Sequence, residues 1–110
     1  MRLADLIAKT GYSVISEGNN DAEVKSGYTG DLLSDVMANA TSDSALITIQ
    51  AHKNTIAVAT LAGIRVIVIC NERTVPDDMK QAADGENVAI ISTKKNQFLV
   101  SSEISKLLNL

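Results

Sequence analysis

The chain has 110 residues, of which 45% are hydrophobic and only 3% aromatic, and its formal net charge is −3 at pH 7. This length predicts a single domain, residues 1–110, and the composition excludes wholesale disorder and implies an aliphatic core. The acidic balance and the scarcity of aromatic rings argue against a nucleic-acid binder, which needs a basic footprint. One cysteine, Cys70, excludes an intrachain disulfide framework and an iron–sulfur cluster held by this chain alone, which takes about four thiolates.

No apolar stretch approaches the roughly 18 residues that a membrane span requires. The charged residues Arg2, Asp5 and Lys9 interrupt any signal-peptide pattern at the start of the chain. We therefore expect a cytoplasmic protein with no membrane partner.

The first forty residues predict two helices and two strands. Leu3, Leu6 and Ile7 have the spacing of one buried helix face that stops at Gly11. A brief strand is predicted over residues 12–16, followed by a turn-rich run and a weaker strand over residues 24–28. A second helix follows, with Asp31 as its N-cap; its predicted apolar stripe is Leu32, Leu33, Val36 and Met37.

The remaining chain alternates short apolar strands with helices. Strands are predicted over residues 45–49, 66–69 and 88–91. Helices are predicted over residues 54–61, from Pro76 to residues 84–85, and over residues 99–108. The last helix is expected to bury Phe98, Ile104, Leu107 and Leu108. Continuously apolar strands are typical of a parallel sheet that is buried on both faces, so this βαβαβα portion predicts an α/β fold with a mostly parallel sheet.

Ligands of open α/β sheets bind beyond the carboxyl ends of the strands. There the sequence places three polar runs, residues 50–54, 70–73 and 92–96. The side chains we expect to contact an anionic or nucleotide-like ligand are Gln50, His52, Asn54 and Asn71 from these loops, together with Asp31 and Ser34. The alternative is that these loops are polar only because they meet water.

His52 and Cys70 are the only residues of their types. With scattered carboxylates they match no zinc spacing, so no metal is predicted. His52 is a candidate general base or ligand contact, or simply a structural histidine. Cys70 is expected to be a buried, inert thiol, and a nucleophilic role would require His52 beside it.

The glycines at residues 27 and 30 precede the second helix but lack a phosphate-loop or dinucleotide motif. Asp31, Ser34 and Asp35 lie on the first turns of that helix, where acidic groups favour the positive end of the dipole. Asp31 and Asp35 are one turn apart, so they either face a common cleft as an acid–base pair or serve as helix caps.

Two long blocks resemble the DRTGG domain family in its free-standing form. They are GYTGDLLSDVMANA at residues 27–40 and LITIQAHKN at residues 46–54, the second followed by AVA at residues 57–59. The naming motif of the family falls near residues 21–28, where only its first Asp, a Ser in place of Thr, and one Gly are present.

The resemblance implies a three-layer α/β fold similar to the amino-terminal domain of HPr kinase/phosphorylase. Family members occur fused to CBS-domain pyrophosphatases, phosphotransacetylases and cobyrinic-acid-synthase-like proteins, where they look like regulatory or assembly modules. Free-standing relatives are encoded beside hydrogenase components. No catalytic residue is carried over from the family.

Four functional hypotheses follow. The first is a non-catalytic regulatory or adaptor module that forms a homodimer through Met37, Ala38 and Ala40 and the small-residue helix over residues 57–61. The second is a sensor of a small ligand such as an adenine nucleotide. The third is a phosphotransferase or hydrolase that uses His52 with Asp31 or Asp35. The fourth is a partner in a hydrogenase-type redox complex.

Overall fold

The computed structural model describes all 110 residues and contains five helices and five strands. The helices are α1 (Leu3–Thr10), α2 (Leu33–Asn39), α3 (Lys53–Ala62), α4 (Asp77–Glu86) and α5 (Gln97–Leu107). The strands are β1 (Ser13–Ser16), β2 (Ser26–Thr29), β3 (Ser44–Thr48), β4 (Val66–Ile69) and β5 (Ala89–Ser92). None of the helices combines the length and the apolar character needed to cross a bilayer.

All five strands form one sheet in the order β1-β5-β4-β3-β2. The pairs β2–β3, β3–β4 and β4–β5 are parallel, whereas β1 pairs with β5 in the antiparallel direction and has a bulge between Val14 and Ser16. The prediction of a mostly parallel sheet is confirmed. The parallel pairing follows from the intervening helices, which return the chain to the same end of the sheet each time.

The core consists of two apolar layers, one on each face of the sheet. Successive residues of a strand point to opposite faces, so in β4 Val68 joins one layer and Ile67 the other. Leu3 of α1 and Ile104 of α5 cover the first face. Helices α2, α3 and α4 cover the second, through buried side chains such as Ile56 and Met79. The arrangement is the expected three-layer α/β fold.

Two helices bury different side chains from those predicted. In α5 the buried residues are Val100 and Ile104, whereas Phe98 is 80% exposed. In α2 only Val36 is buried; Leu32 and Met37 of the predicted stripe are exposed. The apolar spacing was compatible with more than one helix face, and the helix packing against the sheet decided which face is covered.

Helix boundaries also differ by a few residues. Helix α4 continues through Gly85, and Asn87 ends it in the left-handed conformation, with φ of 54°. Helix α5 begins at Gln97 because the Asn96 side chain accepts a hydrogen bond from Leu99 N and so caps it. Asparagine adopts both roles readily, as a left-handed C-cap and as an N-cap.

Candidate functional site

The carboxyl ends of the four parallel strands share one edge of the sheet, which we call the rim. Thr48 of β3 is in register with Ile69 of β4, and Ile69 is in register with Ser92 of β5. Gln50, Asn71 and Thr93, which follow these strand ends, therefore leave the sheet on the same side. This confirms the common edge on which the predicted site depends.

Asp31 is the centre of a hydrogen-bond cluster on the rim. Its Oδ1 accepts from Thr48 Oγ1 at 2.9 Å, from Ile49 N at 3.0 Å and from Gln97 Nε2 at 3.0 Å. The carboxylate thus ties the segment after β2 to the end of β3 and to the start of α5. The prediction that Asp31 is the N-cap of α2 is wrong, because the cap position is Leu32 and no side chain caps that helix.

The second carboxylate oxygen of Asp31 has no partner within the chain. All three donors contact Oδ1, and no buried side-chain oxygen or nitrogen is left without a hydrogen bond. Oδ2 is therefore open to solvent at the rim. A carboxylate held through one oxygen and free at the other is a fixed acceptor for hydroxyl or amine hydrogens.

His52 is the N-cap of α3. Its Nδ1 accepts a hydrogen bond from Asn54 N at 3.0 Å, so the neutral imidazole carries its proton on Nε2. His52 makes no hydrogen bond to Asp31 or Asp35. The side chains of His52 and Asn54 are exposed at the rim.

Asp35 belongs to a different cluster from Asp31. Its carboxylate accepts hydrogen bonds from Tyr28 Oη and from Asn39 Nδ2. The hydrogen bond to Asp35 raises the pKa of Tyr28, because it stabilises the protonated phenol. The two carboxylates have no common partner, and neither lines a cavity. Asp31 and Asp35 therefore do not line a common cavity, and Ser34 is exposed beside them.

Cys70 is fully buried at the end of β4. Burial, and secondarily the negative charge of Asp31, raises the pKa of its thiol to about 11. A thiol with this pKa is almost entirely protonated at neutral pH. This agrees with the expected inert thiol.

Asn71 and Glu72, which follow Cys70, both adopt left-handed backbone conformations, with φ of 59° and 55°. Asn71 N donates to Lys95 O at 3.0 Å, and Glu72 N donates to Thr93 O at 2.9 Å. These bonds join the loop after β4 to the loop after β5. The rim is thus held together at both ends, by Asp31 on the β2–β3 side and by this loop pair on the β5 side.

None of the six residues predicted to bind a ligand lines a cavity. Their part of the rim is an open surface rather than a closed pocket. A cavity of about 210 Å³ lies instead between β2 and α5, beside Thr29 and Ser101. Two further cavities lie on the β5 side of the rim. No group of three or more His, Cys, Asp or Glu side chains is placed to hold a metal ion.

The sequence interpretation missed Thr48 and Gln97, the two side chains that donate to Asp31. Thr48 had a detectable signal, since it is the one polar residue of the strand predicted over residues 45–49. Gln97 had none, because 66 residues separate it from Asp31.

Comparisons with known proteins agree with this architecture. The family model of the DRTGG domain matches residues 5–107. The sequence matches no curated protein. A solved structure with the same fold comprises the CBS and DRTGG domains of the regulatory region of a Clostridium perfringens pyrophosphatase, in complex with the activator diadenosine tetraphosphate. It has a TM-score of 0.69 and 9% sequence identity, and the alignment covers 92% of this chain and 44% of that one.

Proposed function

The chain belongs to the DRTGG domain family, and on this premise we propose that it is a non-catalytic regulatory module. The observation that carries the proposal is the fold shared, over 92% of this chain, with part of the regulatory region of a pyrophosphatase. The chain spans less than half the length of that structure, so the activity of the larger protein is not transferred. The His52 environment supports the non-catalytic proposal, because its Nδ1 caps α3 and no carboxylate contacts it.

We propose that the module binds a small ligand of the adenine-nucleotide class. The relative was crystallised with diadenosine tetraphosphate, which supports this class. On this chain the free oxygen of Asp31 supplies an acceptor for ribose hydroxyls or an adenine amine. We propose that Gln50, His52, Asn54, Asn71 and Ser34 complete the contacts from the surrounding rim.

Thermal unfolding with added AMP, ATP or diadenosine tetraphosphate tests the ligand proposal. A ligand at a hundred times its dissociation constant should stabilise the folded chain by about 2.7 kcal/mol. Gln50→Ala and Asn54→Ala should reduce that shift, because each removes a proposed ligand contact. Neither side chain makes a hydrogen bond within the chain, so the loss would report on ligand binding. Asn20→Ala, an exposed asparagine outside the rim, is the matched control. Absence of a shift with all three nucleotides would contradict this ligand class.

We propose that the module acts as a homodimer, formed through the outer surface of α2 and α3. Met37 is 43% exposed and Leu61 is 75% exposed, while Ala38 and Ala57 are exposed small residues and Ala40 is half-buried. Light scattering after size exclusion should give twice the monomer mass at micromolar concentration. Leu61→Arg should return the monomer mass, whereas Leu110→Arg, at an equally apolar exposed position, should not.

A hydrogenase-type redox complex is the proposed partner, a proposal that rests on the free-standing relatives alone. The module is proposed to work in the cytoplasm without a metal or iron–sulfur cluster of its own, since its one thiol is buried and protonated. Any cluster would then belong to the partner. Co-purification from the native host should recover hydrogenase components with the chain, and their absence would contradict the proposal.

A further inference from the structure

A polar groove opens on the β5 side of the rim, beside the start of the edge strand β1. It consists of two adjoining cavities of about 340 and 160 Å³. Both cavities are lined by Ser13, Ser92, Thr93 and Lys94, and the smaller one also by Glu72 and Arg73. We call this feature the β1–β5 groove. It shares no residue with the Asp31 cluster.

The β1–β5 groove carries positive charge that the chain does not neutralise. Arg73 has no carboxylate within ion-pair distance. Lys94 Nζ lies 3.9 Å from Glu72 Oε1, at the outer limit of an ion pair. The next lysine, Lys95, is already engaged by Glu103. In a chain of net charge −3, two cations that face a cavity without firm partners favour an anionic ligand.

Hydroxyl groups add neutral donors to the same groove. Ser13 and Ser92 are directly opposite in the β1–β5 pair, and neither hydroxyl has a hydrogen-bond partner in the chain. Since no buried side-chain oxygen lacks a partner, the Oγ of the half-buried Ser92 is accessible from the groove. Thr93 Oγ1 accepts from Lys95 N at 3.2 Å and keeps its own hydrogen free to donate.

The backbone holds these donors in position. The left-handed residues Asn71 and Glu72 cost conformational energy, and their N–H groups are bonded to the loop that carries Lys94. Thr93 N in turn donates to Ile69 O at 3.0 Å. Arg73 and Lys94 therefore project from two loops that are already fastened to each other and to the sheet, which lowers the entropy lost on binding.

We propose that the β1–β5 groove is a binding site for a phosphate-type oxyanion. Guanidinium, ammonium and hydroxyl groups are the donors that recognise phosphate oxygens. The smaller cavity has a volume of about 160 Å³, several times the roughly 30 Å³ that one water molecule occupies in the liquid, so a small oxyanion fits. This site is independent of the proposed function, because none of the residues proposed to contact the nucleotide lines the groove.

Titration of the whole chain with inorganic phosphate, followed by amide chemical shifts at constant ionic strength, tests the site. We expect saturable shifts centred on Ser13, Ser92, Thr93 and Lys94, which sodium chloride does not reproduce. A parallel titration with glycerol 2-phosphate distinguishes a site for the free ion from one that accepts the phosphate group of an organic molecule. Either pattern supports the proposal.

Variants separate specific binding from general attraction to the surface. Arg73→Gln and Lys94→Gln should each weaken phosphate binding about tenfold or more, because each removes a charge-assisted hydrogen bond. Ser13→Glu, at an exposed strand position, should abolish binding by placing a carboxylate in the groove. Lys106→Gln, which removes an exposed cation outside the groove, is the matched control. Shifts that do not saturate, or that the three groove variants leave unchanged, would overturn the site whatever the nucleotide assay shows.

Discussion

Asp31 shows how much structure one side chain can organise. A single carboxylate oxygen accepts three hydrogen bonds, from β3, from the residue after it and from the first residue of α5. A carboxylate has lone pairs for several donors, so the charge is stabilised without a cation. The same contacts join three elements that are distant in sequence. The rim geometry therefore depends on this one residue.

Replacing Asp31 should destabilise the fold. Asp31→Ala leaves the Thr48 hydroxyl and the Ile49 N–H group without their acceptor, so we expect a loss of about 1–3 kcal/mol in the free energy of unfolding. Asp31→Asn keeps one carbonyl oxygen and should lose less. Urea denaturation measures both. Glu17→Ala, an exposed acid without a partner, should stay within about 0.5 kcal/mol of the parent chain, and an equal loss there would argue against the specific role of Asp31.

Glu103 is the residue whose charge state should make stability depend on pH. Its carboxylate accepts hydrogen bonds from the Lys95 ammonium and the Tyr12 hydroxyl, and these hydrogen bonds, with Lys95 the larger cause, lower the pKa of Glu103. Burial of the ring, and secondarily the hydrogen bond to Glu103, raises the pKa of Tyr12. Lys95 Nζ also lies 5.6 Å from the centroid of that ring.

The direction of the pH effect follows from linkage. Because the pKa of Glu103 is lower in the folded chain, the stability it contributes is complete above its ordinary pKa of about 4.3 and is lost as pH falls through the folded value. The free energy of unfolding should therefore decrease from about pH 5 to about pH 3, and less steeply in Glu103→Gln. Asp84, whose pKa is lowered by Lys80 and Ser16, should account for part of the remaining slope. Identical slopes in both proteins would contradict the role of Glu103.

At the scale of elements, the loops rely on backbone conformations that few residues adopt. Gly11 ends α1 at φ of 67°, and Gly18 turns the chain after β1 at φ of 64°. Their surroundings differ. A Cβ atom on Gly11 would meet nothing within 4 Å, whereas one on Gly18 would lie 2.6 Å from Ala89 N. Gly18 is therefore required both for its conformation and for the close approach of the loop to β5.

This pair of glycines provides a matched test. Gly11→Ala should cost about 1–2 kcal/mol, the strain of a left-handed residue with a Cβ atom. Gly18→Ala should cost more, because the loop must also move away from the backbone of β5. Guanidinium denaturation of both variants gives the comparison. A cost at Gly18 equal to or below that at Gly11 would show that the loop is free to shift.

At the scale of the whole molecule, stability comes from two apolar layers that share one sheet. Ile67 in β4 is fully buried in the layer beneath α2, α3 and α4, whereas Leu61 on α3 is 75% exposed. Both are large aliphatic residues with similar transfer free energies. Their contributions to stability should differ because only one of them is removed from water.

We expect Ile67→Ala to lower the free energy of unfolding by about 2–5 kcal/mol, the cost of lost burial and of the cavity left behind. Leu61→Ala should change it by no more than about 0.5 kcal/mol. Thermal and chemical denaturation at protein concentrations that keep the chain monomeric measure the difference. Similar losses for the two variants would show that Leu61 is covered in solution.

The sequence predicted the positions of the strands better than it predicted which side chains each helix buries. The apolar runs ending at Ile69 and Ile91 identified two central strands directly. In contrast, Phe98 was expected to be buried and is exposed, because hydrophobicity marks a helix face only up to the rotation that packing selects. For the candidate site, too, the sequence predicted one part and missed another. The strand ends predicted a common rim, but not that Gln97 would reach Asp31 or that Arg73 would join Ser13 in a groove.

By itself, the sequence determined the α/β class, the parallel strands and the polar character of the rim, because these depend on local periodicity and on residue type. It also determined that the chain has a single thiol, Cys70. Only the tertiary structure decided which helix faces are covered, that Asp31 accepts hydrogen bonds from three elements instead of capping a helix, and where the cavities open. Those outcomes depend on contacts between residues far apart in the chain, and periodicity carries no information about such distances.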